Sequence, residues 1–180
     1  MKKTLVIHPS DKSTDFLKPI YSEIPNCTVI SGGISKSEVE KEIGKHDRII
    51  MLGHGTVYGL LSINLFGNVG HVIDRESVKY LKNKECIFIW CNANIFVEYY
   101  RLKGLYSGMF VSEVDESVVC GCESTQNEVD NSNDFFSITL GEHINEELDV
   151  MYENLKEKYG QIRLKNKVAF FNHQRLYLNI

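Results

Sequence analysis

The sequence has few of the features that mark secreted, membrane-spanning or nucleic-acid-binding proteins. Its 180 residues include three prolines and five cysteines, and an odd number of scattered cysteines does not make a disulfide framework. No apolar run approaches the roughly 18 residues that a membrane-spanning helix needs. The formal net charge of −4 provides no basic footprint for nucleic acid or an anionic membrane. The sequence therefore predicts a protein of the reducing cytoplasm without nucleic-acid or membrane partners.

The chain has the composition of a packed domain. A hydrophobic fraction of 43% is high enough for a core, which excludes global disorder, and the length suits one domain over residues 1–180. The basic N-terminal segment has only three strongly apolar residues before His8 and Pro9. That run is too short for a signal-peptide core, and it is typical of a first strand.

Short apolar runs alternate with helical patterns, which is typical of buried parallel strands joined by crossover helices. The predicted fold class is α/β, a single-domain three-layer α/β/α sandwich with a mostly parallel sheet. The predicted strands cover residues 4–8, 27–30, 48–52, 86–90 and 109–111, with a further strand at 167–171. The predicted helices cover residues 13–22, 92–103 (stopped by Gly104), 134–144 and 146–159, with a hairpin arm at 58–65 and a polar loop at 114–133.

Two further helix starts have capping signals. Ser35 and Glu38 form a capping-box pair, and Ile34 and Val39 have the spacing of a hydrophobic staple. Asp74 has the position of a second helix cap.

Two chemically active residues follow apolar strands. His54 stands between two glycines directly after the strand at 48–52, and Cys91 follows the strand at 86–90 and begins a predicted helix. Functional groups of open α/β sheets gather at the C-terminal ends of strands. If these two strands are neighbours, the imidazole and the thiol emerge side by side.

The types of residue suit nucleophilic catalysis. Unsatisfied N–H groups and the positive end of a helix dipole stabilise a thiolate, so we expect Cys91 to ionise readily. Gly55 has no Cβ, so its N–H can approach a substrate carbonyl oxygen and form an oxyanion hole with the Cys91 N–H. His54 would then protonate the leaving amine.

A hydrophobic strand ending in His-Gly, followed 37 residues after the histidine by a hydrophobic strand ending in Cys, resembles the caspase-like cysteine peptidases of clan CD. The layout is most similar to that of the CHAT-domain proteases. The resemblance implies a caspase-hemoglobinase fold, a His54–Cys91 dyad and an oxyanion hole from the Gly55 and Cys91 amides. It implies a protein or peptide substrate and no cofactor or metal, and it leaves open a regulatory protein partner or a dimer.

The chain departs from the family pattern around the cysteine. Many relatives have a polar or acidic residue two places before it and a glycine two places after it, where this chain has Ile89 and Ala93. The family's P1 specificity therefore does not transfer. Glu113 and Asp115, with the adjacent Glu116, are candidates for binding a basic P1 side chain.

Other residues have structural explanations that weigh against a chemical role. His8 is a rival base, but His8-Pro9 is more typical of a turn. Cys120 and Cys122 lack the second pair that a zinc site needs. Gly32-Gly33 is followed by no fuller phosphate-binding fingerprint, which favours a turn.

The leading hypothesis is a caspase-like cysteine endopeptidase in which Cys91 attacks as a thiolate. In this hypothesis, residues 56–70 and 114–133 form loops that wall the cleft. The alternative is a catalytically silent caspase-like domain that acts as a binding, scaffold or regulatory module, as the departures at Ile89 and Ala93 suggest. A flavodoxin-like small-ligand binder is a third interpretation, which the absence of a phosphate-binding loop disfavours.

Overall fold

The computed structural model describes residues 2–32, 35–63 and 69–180. The strands are β1 (Thr4–Ile7), β2 (Thr28–Ile30), β3 (Arg48–Leu52), β4 (Gly55–Thr56), β5 (Gly59–Ile63), β6 (Val69–Ile73), β7 (Glu85–Ile89), β8 (Gly104–Ser107) and β9 (Leu176–Asn179). The α-helices are α1 (Pro19–Ser22), α2 (Lys36–Lys45), α3 (Val78–Leu81), α4 (Ala93–Tyr100), α5 (Val114–Val119), α6 (Gln126–His143), α7 (Leu148–Gly160) and α8 (Lys167–His173). A 3₁₀ helix at Lys12–Leu17 precedes α1.

Six strands form the main sheet, in the order β2-β1-β3-β7-β8-β9. The first five are parallel to one another, and β9 pairs with β8 in the antiparallel direction. Strands β4, β5 and β6 form a separate antiparallel sheet directly after β3. The predicted α/β class with a mostly parallel sheet is therefore confirmed.

Helices pack on both faces of the main sheet because the strand residues alternate between two apolar clusters. One cluster joins Ile49, Met51 and Phe88 to residues of α2, α3 and α4. The other joins Ile50 and Ile87 to residues of α1, α6 and α7. This arrangement agrees with the layers that the sequence predicts. None of the helices in the described part of the chain has the length and apolarity needed to cross a membrane.

The helix cap predicted at Ser35 is present in the structure, whereas the one predicted at Asp74 is not. Ser35 and Glu38 form the predicted capping box at the start of α2, whereas Ile34 of the predicted staple lies outside the described residues. Asp74 does not cap α3, whose N-cap is Ser77. Its carboxylate instead accepts the Glu76 N–H and binds the Lys36 ammonium group at 2.6 Å.

The first predicted helix is divided. Residues Lys12–Leu17 form the 3₁₀ helix, and Pro19 starts α1 rather than weakening a helix interior, since proline fits the first turn of a helix. The predicted hairpin arm at 58–65 corresponds to β5, and its residues 64 and 65 lie outside the described residues.

The predicted loop at 114–133 is wrong, because this stretch is mostly helical. It holds α5 and the first half of α6, which begins at Gln126 rather than at the predicted position 134. Thr125 and Glu128 form a capping box at that start. The polar composition concealed the helix, since two of its buried residues are Ser132 and Asn133.

The two predicted strands at 109–111 and 167–171 are also wrong. The fifth strand of the sheet is β8, which begins at Gly104, where a Cβ would lie 2.2 Å from the Cys86 carbonyl oxygen. Gly104 therefore does not stop α4, which ends at Tyr100 with Arg101 in a left-handed conformation. Residues Lys167–His173 form α8, capped by Asn166, because a short apolar run does not distinguish a strand from a buried helix.

Candidate active site

Pairing between β3 and β7 brings the two predicted catalytic residues together at the C-terminal ends of these parallel strands. These strands are parallel neighbours, and Leu52 is in register with Ile89. The Gly53 N–H continues the pairing by donating to the Ile89 carbonyl at 3.1 Å. His54 and Cys91 each stand two residues beyond the last registered pair, so they leave the sheet at the same level. This adjacency is the condition that the sequence left open.

Gly55 follows His54 and fits closely against Trp90. A Cβ at position 55 would lie 2.1 Å from Trp90 Cδ1, so no larger residue fits without moving the indole. The Trp90 Nε1–H donates to the Thr56 carbonyl at 3.1 Å and fastens β4 to the end of β7. Because Leu61 N–H donates to the His54 carbonyl, Gly55 occupies a non-hydrogen-bonded position of the hairpin, and its N–H points away from β5.

Cys91 lies in a sharp turn between β7 and α4. The Ala93 N–H donates to the Trp90 carbonyl at 3.2 Å and closes the turn. Asn92 has φ 66° and ψ 27°, a left-handed conformation that asparagine tolerates better than most residues. Its N–H donates to the Gly108 carbonyl at 3.0 Å, which ties the turn to the end of β8.

The Cys91 thiol is strongly disfavoured from ionising in the free protein. Burial raises the pKa of Cys91 to about 11, and the carboxylates of Glu116 and Glu113 act in the same direction. The Sγ atom lies 3.4 Å from the Phe110 carbonyl, to which the thiol donates. The expectation of a readily formed thiolate is therefore wrong. Desolvation outweighs the dipole of α4, which is only eight residues long.

His54 lies half-exposed at the surface, with 36% of its side chain accessible. Its Nε2 atom is 2.6 Å from the Ser13 hydroxyl and 3.8 Å from an Asp11 carboxylate oxygen. Asp11 also accepts the Ser13 hydroxyl at 2.8 Å and the Ser13 N–H at 2.9 Å. Within the residues that the structure describes, no hydrogen bond joins the His54 ring to Cys91.

Sequence reasoning missed Ser13 and Asp11. The signal that was present is Asp11 two residues before Ser13, which is a common capping pattern. That pattern directly follows β1, and β1 lies beside β3 in the sheet. The pairing of β1 with β3 is what brings Asp11 and Ser13 close to His54.

The rival base His8 is fully engaged in the core. Its Nδ1 contacts the Tyr21 hydroxyl at 3.0 Å, and its Nε2 contacts the Thr14 hydroxyl at 3.1 Å. Burial lowers the pKa of His8, because the charged imidazolium loses its hydration there. Both ring nitrogens thus hold the 3₁₀ helix and α1 against β1.

Two surface depressions lie near His54. The smaller, of about 230 Å³, is mainly apolar, and its lining includes His54, Pro9, Leu61 and Val69. The larger, of about 500 Å³, is lined by ten residues that include Ser13 and three carboxylates: Lys12, Ser13, Phe16, Ser112, Glu113, Val114, Asp115, Gln126, Asp130 and Asn133. We call this larger one the acidic depression. It contains both predicted substrate-binding residues and adds Asp130.

Glu116 has a different environment from its acidic neighbours. Its carboxylate accepts the N–H groups of Ser112 at 2.7 Å and Glu113 at 3.2 Å, which caps α5. Ile89, two places before Cys91, is 2% exposed and packs in the core. The Glu116 carboxylate and the Ile89 side chain are therefore both engaged in contacts within the protein.

The remaining cysteines give no second site. Cys86 and Cys122 are buried, while Cys27 and Cys120 are partly buried, and all five are free thiols. Among the described residues, no group of three or more His, Cys, Asp or Glu side chains is arranged to hold a metal ion. Of the glycine pair at 32–33, Gly33 lies outside the described residues.

A scan against models of known protein families finds no match to this chain, and a search of curated protein sequences finds none either. The functional interpretation therefore depends on the geometry of His54, Cys91 and their surroundings.

Proposed function

We propose that this chain is a caspase-like cysteine endopeptidase with the caspase-hemoglobinase arrangement of strands. The observation that carries the proposal is the in-register parallel pairing of β3 with β7. Because of this pairing, His54 and Cys91 follow the C-terminal ends of neighbouring strands at the same level. The close fit of Gly55 to Trp90, and the outward direction of its N–H, support an oxyanion hole beside the thiol. An imidazole, a thiol and an amide donor are the groups that acyl transfer needs.

The raised pKa of Cys91 assigns His54 the role of general base as well as general acid. His54 removes the thiol proton as Sγ attacks the scissile carbonyl carbon, and the carbonyl oxygen gains a negative charge opposite the Gly55 and Cys91 N–H groups. The C–N bond then breaks, and the leaving amine takes the proton from His54. Water, deprotonated by His54, attacks the thioester, which releases a carboxylic acid and restores the thiol.

The acidic depression supports a preference for a basic side chain at P1. Glu113, Asp115 and Asp130 line it, and no carboxylate stands two places before the cysteine, where Ile89 is buried. Lysine or arginine entering the depression would meet three carboxylates with one opposing cation, Lys12. A substrate with an acidic residue at that place would be repelled.

The test is covalent labelling with a peptidyl acyloxymethyl ketone that has arginine at P1, followed by peptide mapping. We expect modification of Cys91 that is lost in His54→Ala and retained in the matched controls His143→Ala and Cys120→Ala. His143 contacts Glu146 at the end of α6, and the next residue, Ile144, accepts a hydrogen bond from Arg48 at the start of β3, whereas His54 follows the end of that strand. If the probe does not modify Cys91, or modifies it equally in His54→Ala, the peptidase proposal is wrong.

The P1 preference has its own test. In Glu113→Gln/Asp115→Asn, we expect labelling by the arginine probe to fall by up to about tenfold, since Glu113 and Asp115 are exposed and exposed ion pairs contribute at most roughly 1 kcal/mol each. Glu157→Gln, on the outer face of α7, is the matched control. An aspartate P1 probe that outperforms the arginine probe on the unaltered protein would contradict the proposed preference.

A second candidate function is a catalytically silent binding, scaffold or regulatory module. The observation that favours it is the Cys91 thiol itself, which is partly buried, has a raised pKa and donates a hydrogen bond to the Phe110 carbonyl instead of to His54. The Cys91→Ala variant separates the two candidates. Loss of the cellular activity of the protein supports the peptidase, whereas full retention supports the silent module.

A further inference from the structure

A polar chain of three side chains leads from the segment after β1 to the proposed catalytic histidine. The Asp11 carboxylate accepts the Ser13 hydroxyl at 2.8 Å, and the same hydroxyl oxygen lies 2.6 Å from His54 Nε2. Ser13 and His54 are 41 residues apart in sequence, so this contact is not part of a local turn. The N-cap role of Asp11 in the 3₁₀ helix explains its hydrogen bonds with Ser13. That role does not explain why the Ser13 hydroxyl also contacts His54.

The hydrogen atoms of this chain can be assigned from the donors that each group has. The Ser13 hydroxyl has one hydrogen, and a carboxylate is a stronger acceptor than a neutral imidazole nitrogen. Hydrogen bonds from Ser13 lower the pKa of Asp11, so the carboxylate is ionised at neutral pH and takes that hydrogen. Towards His54, the Ser13 oxygen is therefore an acceptor, and Nε2 has to donate. The lone pair of the neutral ring is then at Nδ1.

We propose that Ser13, held by Asp11, is a positioning residue that fixes His54 with its proton on Nε2 and leaves Nδ1 to exchange the proton of Cys91. This inference rests on the proposed peptidase function for its catalytic meaning, whereas the assignment of the ring proton does not. The Asp11 carboxylate, which lies 3.8 Å from Nε2, holds the hydroxyl in this orientation.

Among the described residues, Asp11 is the charged group that lies within ion-pair distance of the His54 ring. On the side of the smaller depression the neighbours Pro9, Leu61 and Val69 are apolar, and Ser62 there is uncharged. His8 lies in the core beneath, with both nitrogens engaged. An effect of substituting Asp11 on the tautomer of the His54 ring is thus attributable to that carboxylate.

The same contact raises the question of whether Ser13 is the nucleophile of a serine hydrolase. In a Ser-His-Asp triad the carboxylate and the serine bind opposite nitrogens of the ring. Here Asp11 and Ser13 both lie at Nε2, and the serine proton is directed to Asp11. The geometry therefore favours positioning over nucleophilic attack by Ser13.

The experiment measures the His54 tautomer by long-range ¹H–¹⁵N NMR of the imidazole ring, with His54→Gln used to assign its signals. We expect an Nε2–H ring in the unaltered protein and in Ser13→Thr, which keeps a hydroxyl. In Ser13→Ala we expect the Nε2–H preference to be lost. Ser22→Ala, whose hydroxyl binds the Pro19 carbonyl, is the matched control and should match the unaltered protein.

The second readout is the rate of Cys91 labelling by the arginine acyloxymethyl ketone at neutral pH. We expect Ser13→Ala to slow labelling roughly 10- to 100-fold, a part of what general acid–base catalysis contributes. Asp11→Asn keeps a capping oxygen but removes the charge that orients the Ser13 hydroxyl, so it should slow labelling as well. Asp15→Asn, which loses the surface ion pair with Lys18, should leave the labelling rate unchanged.

The outcomes separate this inference from the proposed function. An Nε2–H ring that depends on Ser13, together with no labelling of Cys91, supports the positioning of His54 and refutes the peptidase. A tautomer and a labelling rate that are unchanged in Ser13→Ala overturn the inference and leave the peptidase standing. Modification of Ser13 by a fluorophosphonate, with hydrolysis retained in Cys91→Ala, overturns both.

Discussion

Alkylation of Cys91 by iodoacetamide measures how strongly burial suppresses its thiolate. Its pKa of about 11 lies two units above the ordinary value of 9.0, so the thiolate fraction at pH 7 is about 100-fold lower than that of an unperturbed thiol. A more basic thiolate is also a better nucleophile, which offsets about tenfold of that loss. We therefore expect Cys91 to react at least about tenfold more slowly in the folded protein than in urea, and steric exclusion adds to this.

The assay follows modification of each cysteine by peptide mapping as pH is varied, in folded and urea-unfolded protein. For Cys91 in the folded protein, the rate should rise about tenfold per pH unit through pH 9 without levelling off. His54→Ala should leave this small-reagent rate unchanged, because the free protein has no hydrogen bond between the two residues within its described part. A half-maximal rate below pH 9, or a slower rate in His54→Ala, would refute the reasoning and indicate a preformed ion pair.

Three further predictions concern stability. In Gly55→Ala the added Cβ overlaps Trp90, so the free energy of unfolding should fall by about 2–4 kcal/mol, with changed fluorescence of this single tryptophan; unchanged values in urea titrations would contradict the close fit. Asn92→Ala should lower the free energy of unfolding by about 1 kcal/mol, and Asn92→Gly should lower it less, because glycine adopts the left-handed conformation of residue 92 more readily than alanine. Equal urea midpoints for the two variants would contradict this explanation. Burial lowers the pKa of His8, so the unfolded chain binds its proton first, and stability should decline as pH falls below the ordinary value of 6.5. The His8→Gln variant should show a weaker decline between pH 6.5 and 5 in urea midpoints, and an unaltered slope would show that other groups are responsible.

Much of the fold could be predicted because its signals are local. The apolar runs at 4–8, 48–52 and 86–90 predicted β1, β3 and β7 to within a residue, since a strand buried on both faces has no polar position. The capping box at Ser35 is also a local signal. The weakest predictions concerned amphipathic or mixed segments. The start of α6 has buried serine and asparagine, and the VAFF run of α8 is apolar without a period long enough to tell helix from strand.

The candidate site also has residues that the sequence indicates and residues that only the structure brings together. The sequence alone singled out His54, Gly55 and Cys91 as candidates, because a glycine-flanked histidine and a strand-terminal cysteine are visible in the chain itself. It also indicated Glu113 and Asp115, which the structure places in the acidic depression.

The tertiary structure decided everything that depends on which strands are neighbours. It brought Ser13 and Asp11 to the imidazole, because β1 pairs with β3, and it added Asp130 to the acidic depression through α6. It also reversed the expected ionisation of Cys91. The charge of a helix terminus acts locally and can be anticipated from sequence, whereas the desolvation that outweighs it arises from residues distant in the chain, and no local pattern records their approach.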